Sequence, residues 1–335
     1  MSDAGPLHPR WSPLAHAAAF LYGLGVRANG AMWGLRSPVQ LGVPVVSVGN
    51  VSAGGTGKTP FVRWTCGALS QLGRHPAIAM RGYASKGGAS DEADEYRETI
   101  PGVPLAVGAD RVASVAALRR DRTDIDCIVL DDGFQHRRVA RALDIVLVDA
   151  TRPAIDGALL PAGWLREPAS ALRRAGLVVV TRAAREDAAL AARIESLHGA
   201  PPAAWTRHAW TRIERFGAGG RDMPLESVSG ARFVCATALG NPAPFVAEVE
   251  ARGGRVRADL RFPDHHAFTR ADADRIAGEA RRHDAAVLCT GKDWAKLRHV
   301  VQAPAGVEWL VVRAGIEFLS GEPAVREALR RALAP

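Results

Sequence analysis

The sequence has few cysteines, and no two of them form a motif. Cys66, Cys127, Cys235 and Cys289 are far apart, and no C-x-x-C pair occurs. This spacing argues against a disulfide framework and against a zinc site, and it favours reduced thiols in a cytosolic setting. The sequence also lacks an apolar run long enough to predict a membrane span.

Acidic residues are in the minority, because 35 Asp and Glu face 43 Lys and Arg and leave a net charge of +8. A positive excess favours an acidic partner, such as nucleic acid, an anionic membrane or a phosphorylated substrate. An arginine-rich proteome would give the same excess, since many of the arginines are scattered over predicted helices. No nucleic-acid motif is present, so we expect no nucleic-acid partner.

A glycine-rich stretch, GNVSAGGTGKTP at residues 49–60, carries the clearest motif. Residues 43–48 before it predict a buried parallel strand, and residues 61–72 after it predict a helix. Strand, glycine-rich loop, Gly-Lys-Thr and helix is the order of a P-loop. Lys58 would reach the β- and γ-phosphates of a nucleotide, and Thr59 would bind Mg²⁺. The residues predicted to surround the phosphates are Ser52, Ala53, Gly54, Gly55, Thr56, Gly57, Lys58 and Thr59.

A pair of aspartates follows a second apolar run. Residues 125–130 predict a strand that leads into Asp131 and Asp132, and Asp131 comes 73 residues after Lys58. An aspartate in this context is typical of a Walker-B carboxylate, which holds Mg²⁺ directly or through water. The alternative is an aspartate that caps a turn.

An acidic cluster, DEADE at residues 91–95, follows the strand predicted over residues 75–80 and a polar stretch after it. Ligand sites of open α/β sheets lie at the carboxyl ends of strands, where we expect a loop. A solvated acidic helix start would have the same composition.

Two further motifs follow predicted strands in the second half of the chain. FPDHHAFT at residues 262–269 places His265 and His266 at a strand end, although a polar turn is the alternative. TGKDW at residues 290–294 lacks the spacing of a guanine-binding box, so it does not argue for GTP.

The alternation of strands and helices predicts an α/β fold: a P-loop NTPase-type doubly wound parallel sheet with a second, smaller α/β domain. A length of 335 residues allows one large domain or two ordinary ones. The predicted divisions are an N-terminal amphipathic helix over residues 1–36, a P-loop domain over 37–204, a linker over 205–222 and the smaller domain over 223–335.

Residues 11–35 carry apolar or small side chains at steps of three and four, with Arg10, Arg27 and Arg36 beside them. This periodicity predicts an amphipathic helix. Three interpretations compete. A signal peptide fits poorly with the P-loop that follows. The helix would otherwise pack on the domain, or lie in a membrane interface, as basic-flanked helices with aromatic residues do.

Together these motifs resemble one family, the tetraacyldisaccharide 4'-kinases, also called lipid A 4'-kinases. The matching stretches, in order, are GNVSAGGTGKTP, MRGY, the Asp91-Glu92 pair, DDGFQHRRVAR, LLPAGWLREP, FPDHHAFT and TGKDWAKL. The resemblance implies transfer of the γ-phosphoryl group of ATP to the 4'-hydroxyl of a tetraacylated glucosamine disaccharide 1-phosphate in lipid A biosynthesis. It also implies a Mg²⁺ cofactor, a nucleotide between two α/β domains, and a peripheral enzyme on the anionic cytoplasmic face of the inner membrane, which we expect to be a monomer.

The resemblance implies roles for individual residues. Asp91 would be the general base, paired with His265 or His266, while Lys58 would stabilise charge on the transferred group. The Mg²⁺ shell would comprise Thr59, Glu92, Asp131 and Asp132, and the expected substrate contacts are Arg81, Gln135, His136 and Arg166. The sequence departs from the family around the base, because Ser90 and Ala93 replace a glycine and a proline. Asp94 begins a second acidic pair and is therefore an alternative base.

Two other protein classes share part of this pattern. A ParA/MinD-like ATPase switch has a doubled glycine in its P-loop, but it carries a lysine where this chain has Ala53. A P-loop ligase of the dethiobiotin synthetase type would lack the N-terminal helix and FPDHH. Transfer of phosphate to a lipid A disaccharide would distinguish both classes from a kinase.

Overall fold

The computed structural model of the protein describes residues 12–54, 56–82, 91–216, 222–239, 242–263, 266–301 and 306–334. The chain forms two compact units. The first comprises Met1–His208 and Ile316–Pro335, and the second comprises Ala209–Gly315. The second unit is therefore inserted within the sequence of the first.

Strands and helices alternate over most of the chain up to the strand at which it enters the second unit, although three consecutive strands there have no α-helix between them. They are α1 (Ser12–Gly34), β1 (Val45–Asn50), α2 (Lys58–Gln71), β2 (Pro76–Met80), α3 (Asp91–Thr99), β3 (Leu105–Val107), α4 (Arg111–Asp121), β4 (Cys127–Asp131), β5 (Leu143–Asp149), β6 (Leu177–Thr181), α5 (Ala188–His198) and β7 (Ala204–Phe216). The rest are β8 (Arg232–Thr237), α6 (Ala243–Ala251), β9 (Arg255–Arg261), α7 (Arg270–His283), β10 (Ala286–Thr290), α8 (Gly291–Leu297), β11 (Trp309–Ser320) and α9 (Glu322–Ala332).

The strands of the first unit pair in the order β3-β2-β4-β1-β5-β6-β7, and each neighbouring pair is parallel. Every residue of β1, β2 and β4 is buried. Helices that cover both faces of a parallel sheet explain why these strands read as continuous apolar runs. The predicted doubly wound α/β fold is confirmed. The carboxyl ends of β1 and β4 lie side by side, and the P-loop and the Asp131-Asp132 pair follow them.

The second unit has its own parallel pairing, in which β10 lies between β11 and β8, and β9 pairs with β8. Its helix α7 begins at Arg270, where Thr269 and Asp272 form a capping box. In the sequence TGKDW, Thr290 ends β10 and the next four residues begin α8, and Thr290 caps this helix by accepting from the Asp293 N–H.

The acidic cluster at residues 91–95 lies in α3, which agrees with the alternative of an acidic helix start and not with the expected loop. Residues 205–216 of the predicted linker belong to the strand β7, which pairs with β6. Residues 316–335 were assigned to the smaller domain, whereas their contacts group them with the first unit. Val325, Leu329 and Leu333 account for this grouping, since they are buried in the same core cluster as Val46.

Helix α1 buries small residues and exposes large apolar ones. Ala15 and Ala19 are 4% and 7% exposed, whereas Leu14 and Leu21 are 63% and 67% exposed. The predicted apolar stripe therefore faces away from the first unit. Small residues make up the packed face because they let the helix backbone come close to its neighbours. Among the residues that the structure describes, no helix is both long enough and apolar enough to cross a bilayer.

Candidate active site

The P-loop connects β1 to the first turn of α2 and is held from two strands. Gly54 and Gly57 have φ values of +104° and +78°, a region that favours glycine. The Asn50 side-chain amide donates to Thr56 Oγ1 at 2.8 Å, and Thr181 Oγ1 donates to the Thr56 carbonyl at 2.8 Å. Thr56 is thus fixed from the ends of β1 and β6. Gly55, a predicted phosphate contact, lies outside the described residues.

Residues 164–166, which we call the strap, run along the first half of the P-loop. The Ala53 N–H donates to the Trp164 carbonyl at 2.7 Å, and the Arg166 N–H donates to the Val51 carbonyl at 2.8 Å. Ser52 and Leu165 form an antiparallel bridge between these contacts. The loop residues 51–53 are therefore held by backbone hydrogen bonds to a part of the chain more than a hundred residues away.

Asp132 brings the P-loop and the strap together electrostatically. Its Oδ1 lies 3.6 Å from Lys58 Nζ, and its Oδ2 accepts a hydrogen bond from Arg166 Nη1 at 2.7 Å. Burial by itself raises the pKa of Asp132, but Lys58 and Arg166 outweigh it, and the pKa falls below its ordinary value. Asp132 is therefore ionised at neutral pH, and it keeps the P-loop lysine close to the carboxyl end of β4.

Asp131 lies in a different environment although it is the next residue. It is 6% exposed, and its Oδ2 accepts a hydrogen bond from the buried Tyr96 hydroxyl at 3.0 Å. Burial raises the pKa of Asp131 to about 6, against the lowering effect of Tyr96 and Lys58. The neighbouring carboxylates of Glu92 and Asp132 raise this pKa further. Asp131 is therefore a desolvated carboxyl group whose ionised form is disfavoured by burial and by the neighbouring carboxylates.

The carboxylates fit a divalent cation. Oδ1 of Asp131 is buried and has no hydrogen-bond partner among the described residues, while the buried Oδ1 of Asp132 has only the Lys58 ammonium, at 3.6 Å, beside it. A buried carboxylate oxygen without a hydrogen-bond donor suits a hard cation such as Mg²⁺. The described part of the chain holds no group of three or more His, Cys, Asp and Glu side chains that could bind a metal by themselves. A Mg²⁺ ion that arrives with a nucleotide needs only one or two carboxylates, since phosphate oxygens and water complete its shell.

Two of the predicted substrate residues make internal contacts around the P-loop. The Gln135 side-chain amide donates to the Asn50 carbonyl at 2.8 Å, at the point where β1 ends. Arg166 pairs with Asp132 through its guanidinium group and bonds Val51 through its backbone. In this structure, both side chains hold the site together, and their contact with substrate stays a prediction.

The other two predicted substrate residues lie apart from these contacts. Arg81 is exposed and directly follows β2. His136 Nδ1 lies 3.4 Å from Arg111 Nη1, and its Nε2 is buried without a hydrogen-bond partner among the described residues. Burial lowers the pKa of His136 to about 4, and the charges of Arg111 and Arg141 lower it as well. His136 is therefore neutral and lies in a cationic environment that would suit an anionic ligand.

The predicted base and its histidine partner are only partly described. Asp91 is the first residue of α3, and its side chain and His265 lie outside the described residues. His266 belongs to the second unit, where its Nε2 lies 3.0 Å from Asp272 Oδ2 and its ring stacks on Phe262. Asp94, the alternative base, is exposed and accepts from Arg97 at 2.7 Å. The pairing of Asp91 with a histidine stays a prediction.

Sequence reasoning missed three residues that position the predicted site residues through hydrogen bonds. Tyr96, Asn50 and Thr181 all bond to predicted site residues through contacts described above. Tyr96 carried a usable signal, because it lies four residues after Glu92 and would share its side of a helix. Asn50 and Thr181 carried a weaker signal, as polar residues that end apolar strands.

Comparison with known proteins gives a consistent result. A family model described as tetraacyldisaccharide-1-P 4'-kinase matches residues 11–334. A tetraacyldisaccharide 4'-kinase of Anaeromyxobacter dehalogenans (strain 2CP-C) is 39% identical, over 90% of this chain and 85% of its own. One of Thiobacillus denitrificans is 35% identical, over 94% and 97%. The crystal structure of LpxK from Aquifex aeolicus, in complex with ATP, has a TM-score of 0.68 at 24% identity and covers 95% of this chain and 98% of its own.

Proposed function

The chain belongs to the family of tetraacyldisaccharide-1-P 4'-kinases, and we infer from this membership that it is a kinase of lipid A biosynthesis. The reaction is the ATP-dependent phosphorylation of the 4'-hydroxyl of a tetraacylated glucosamine disaccharide 1-phosphate. ATP supplies the γ-phosphoryl group and the sugar hydroxyl accepts it.

The observation that carries the proposal is the arrangement around Lys58. This lysine begins α2, directly after the glycine-rich loop, and it lies 3.6 Å from the Asp132 carboxylate at the end of β4. A P-loop lysine beside a strand-end carboxylate is the arrangement used to bind a nucleotide with its metal. Loop amides and Lys58 would stabilise negative charge on the transferred group. Arg166 holds Asp132 in place from the opposite side.

Mg²⁺ is the proposed cofactor, and it would neutralise charge on the phosphates of ATP. Thr59, in the first turn of α2, and Asp131 would hold it, with Asp132 and Glu92 completing the set directly or through water. The buried Oδ1 of Asp131, which has no hydrogen-bond partner in the part of the chain that the structure describes, supports this assignment. Tyr96 orients Asp131 through the hydrogen bond to its second oxygen.

Asp91 is the proposed general base for the sugar hydroxyl, with His265 or His266 as its partner. Its place at the start of α3 supports this role, because Tyr96 on the same helix reaches Asp131. Asp94 is less suited to the role, since its carboxylate already pairs with Arg97.

We propose peripheral attachment to the cytoplasmic face of the inner membrane through α1, by a monomeric enzyme. The large apolar side chains exposed on and directly after α1 support this, and they are Leu14, Phe20, Leu21, Leu24, Met32 and Leu35. The exposed Arg27 and Arg36 lie beside them. A helix with this surface gains from both acyl-chain burial and anionic headgroups.

A transfer assay tests the proposed activity. ATP labelled at its γ-phosphate should label a lipid A disaccharide 1-phosphate acceptor in the presence of Mg²⁺ and the purified protein. Lys58→Ala should abolish labelling while the far-UV circular dichroism spectrum stays that of the wild type, because Lys58 is the first residue of α2 and is not part of a hydrophobic core. ATP hydrolysis without any labelled lipid would instead favour an ATPase switch.

A vesicle assay tests the membrane contact. The triple variant of α1 with serine at Leu14, Leu21 and Leu24 should no longer co-sediment with anionic vesicles, and its apparent KM for lipid should rise. ATP affinity should change little. A matched variant, Ala17→Ser with Asn29→Ser, changes exposed positions of the same helix without removing large apolar groups. Equal sedimentation of the triple variant and the wild type would show that α1 only packs on the protein.

A further inference from the structure

The packed face of α1 rests on two segments that also build the candidate active site. A Cβ atom at Gly23 would lie 2.9 Å from Leu159 Cδ1, so the helix backbone lies against the segment that leads into the strap. The Gly30 carbonyl accepts from Arg137 Nη1 at 3.0 Å, five residues after Asp132 in the chain. The helix therefore contacts the surroundings of the site at Gly23 and Gly30, and a larger residue at Gly23 would require the Leu159 side chain to move.

Tyr22 makes the most direct of these contacts. Its hydroxyl donates to the backbone carbonyl of Arg166 at 2.9 Å. The backbone N–H of the same arginine donates to Val51 at 2.8 Å, and its guanidinium donates to Asp132 at 2.7 Å. Asp132 in turn lies 3.6 Å from Lys58 Nζ. A single chain of contacts thus runs from α1 through Arg166 to the P-loop lysine.

We propose that Tyr22 is a positioning residue for phosphoryl transfer, and that α1 supports the active site as well as facing the membrane. The inference rests on the proposed function. Tyr22 holds the peptide group after Arg166, while Val51 holds the one before it. With both peptide groups fixed, the Cα atom of Arg166 is held in place, and its guanidinium reaches Asp132 from a fixed position. Without the Tyr22 hydroxyl, only Val51 holds the backbone of Arg166, and the guanidinium is positioned less accurately against Asp132.

The two roles of α1 lie on different faces of the helix, so mutations can separate them. Leu21 is 67% exposed on the membrane-facing side, whereas Tyr22 is 38% exposed and engaged with Arg166. Tyr22→Phe removes one hydroxyl and leaves the aromatic ring, so it does not weaken any apolar contact with lipid. A neutral hydrogen bond of this kind corresponds to about a fivefold effect on an equilibrium or rate.

The experiment compares Tyr22→Phe with Leu21→Ser in the transfer assay and in vesicle sedimentation. Tyr22→Phe should lower kcat about fivefold, with wild-type sedimentation and wild-type KM for lipid. Leu21→Ser should raise the KM for lipid and lower sedimentation, with kcat at saturating lipid unchanged. A role for Tyr22 in packing or anchoring alone would not produce this separation of kcat from KM.

A double-mutant cycle tests the route through Arg166. In an Arg166→Ala background, Tyr22→Phe should have no further effect on kcat, because the guanidinium that it positions is gone. The inference would be overturned if Tyr22→Phe left kcat unchanged, or if it lowered sedimentation and kcat equally. It would also be overturned if the effects of Tyr22→Phe and Arg166→Ala on kcat were fully additive. A wild-type protein without transfer activity would refute the proposed function and the inference with it, whereas an active wild type and an equally active Tyr22→Phe would refute the inference alone.

Discussion

Asp131→Asn should make the metal-free protein more stable even though it removes a proposed Mg²⁺ ligand. Burial raises the pKa of Asp131 from 3.8 to about 6. One pKa unit corresponds to ~1.4 kcal/mol, so ionised Asp131 costs the folded state about 3 kcal/mol at neutral pH. A carboxyl group with a raised pKa supports stability fully below its unfolded value of 3.8, and this support is lost as the pH rises through about 6. Asparagine keeps an oxygen for the Tyr96 hydroxyl and carries no charge.

The measurement is denaturant unfolding of wild type and variant without Mg²⁺ or nucleotide. The variant should be more stable by about 3 kcal/mol near pH 8, and the gap should fall to roughly half of that near pH 5. Asp132→Asn is the matched control with the opposite sign, because it removes a carboxylate whose pKa Lys58 and Arg166 hold down. Addition of Mg²⁺ and ATP should narrow the gap, since only the wild type keeps the full ligand set.

Two results would refute this reasoning. A variant less stable than the wild type near pH 8 would mean that ionised Asp131 is stabilised by contacts that the burial argument overlooks. A gap of the same size at both pH values would mean that the effect of the substitution does not come from the charge.

The remaining predictions concern the base and His136. Asp91→Asn should lower kcat on the order of a hundredfold, and Asp94→Asn much less; the reverse order in the transfer assay would move the base by three positions. The pKa of His136, lowered to about 4 by burial and by Arg111 and Arg141, implies stability that is present above the ordinary histidine value and lost as the pH falls through about 4. His136→Gln should therefore flatten the loss of stability in acid unfolding curves, and an unchanged acid limb would contradict this.

Contiguous motifs made half of the site readable from the sequence. The loop from Ser52 to Thr59 and the Asp131-Asp132 pair are each encoded within a few residues, beside short apolar runs that predict buried strands. The connections between these motifs were not readable. The bond from Tyr96 to Asp131 spans 35 residues, and that from Arg166 to Asp132 spans 34. No local pattern encodes contacts of that kind.

Other elements escaped prediction for different physical reasons. Strand β3 is only three residues long, too short for an alternation to show. The periodicity of α1 predicted a helix but not which face docks, because a stripe of large apolar residues suits a protein core and a lipid surface equally well. Close backbone approach at Gly23 settled the choice. The packing of residues 316–335 on the first unit could not be predicted, because it depends on contacts with residues that are more than a hundred positions away in the chain.

The packing of residues 316–335 on the first unit affects how the chain folds as it is synthesised. The core of the first unit is incomplete until α9 is made, since Val325, Leu329 and Leu333 are buried in that core. Arg74 also lacks one of its hydrogen-bond partners until then, because its guanidinium donates to the Leu333 carbonyl at 2.8 Å.

The inserted unit, by contrast, has its last residue, Gly315, before α9 begins at Glu322. In the order of synthesis, the second unit is therefore complete before the first, although the first is begun earlier. The P-loop therefore belongs to an incomplete unit for most of translation. A nascent chain that stalls within α9 would expose a nucleotide site whose unit still lacks part of its core.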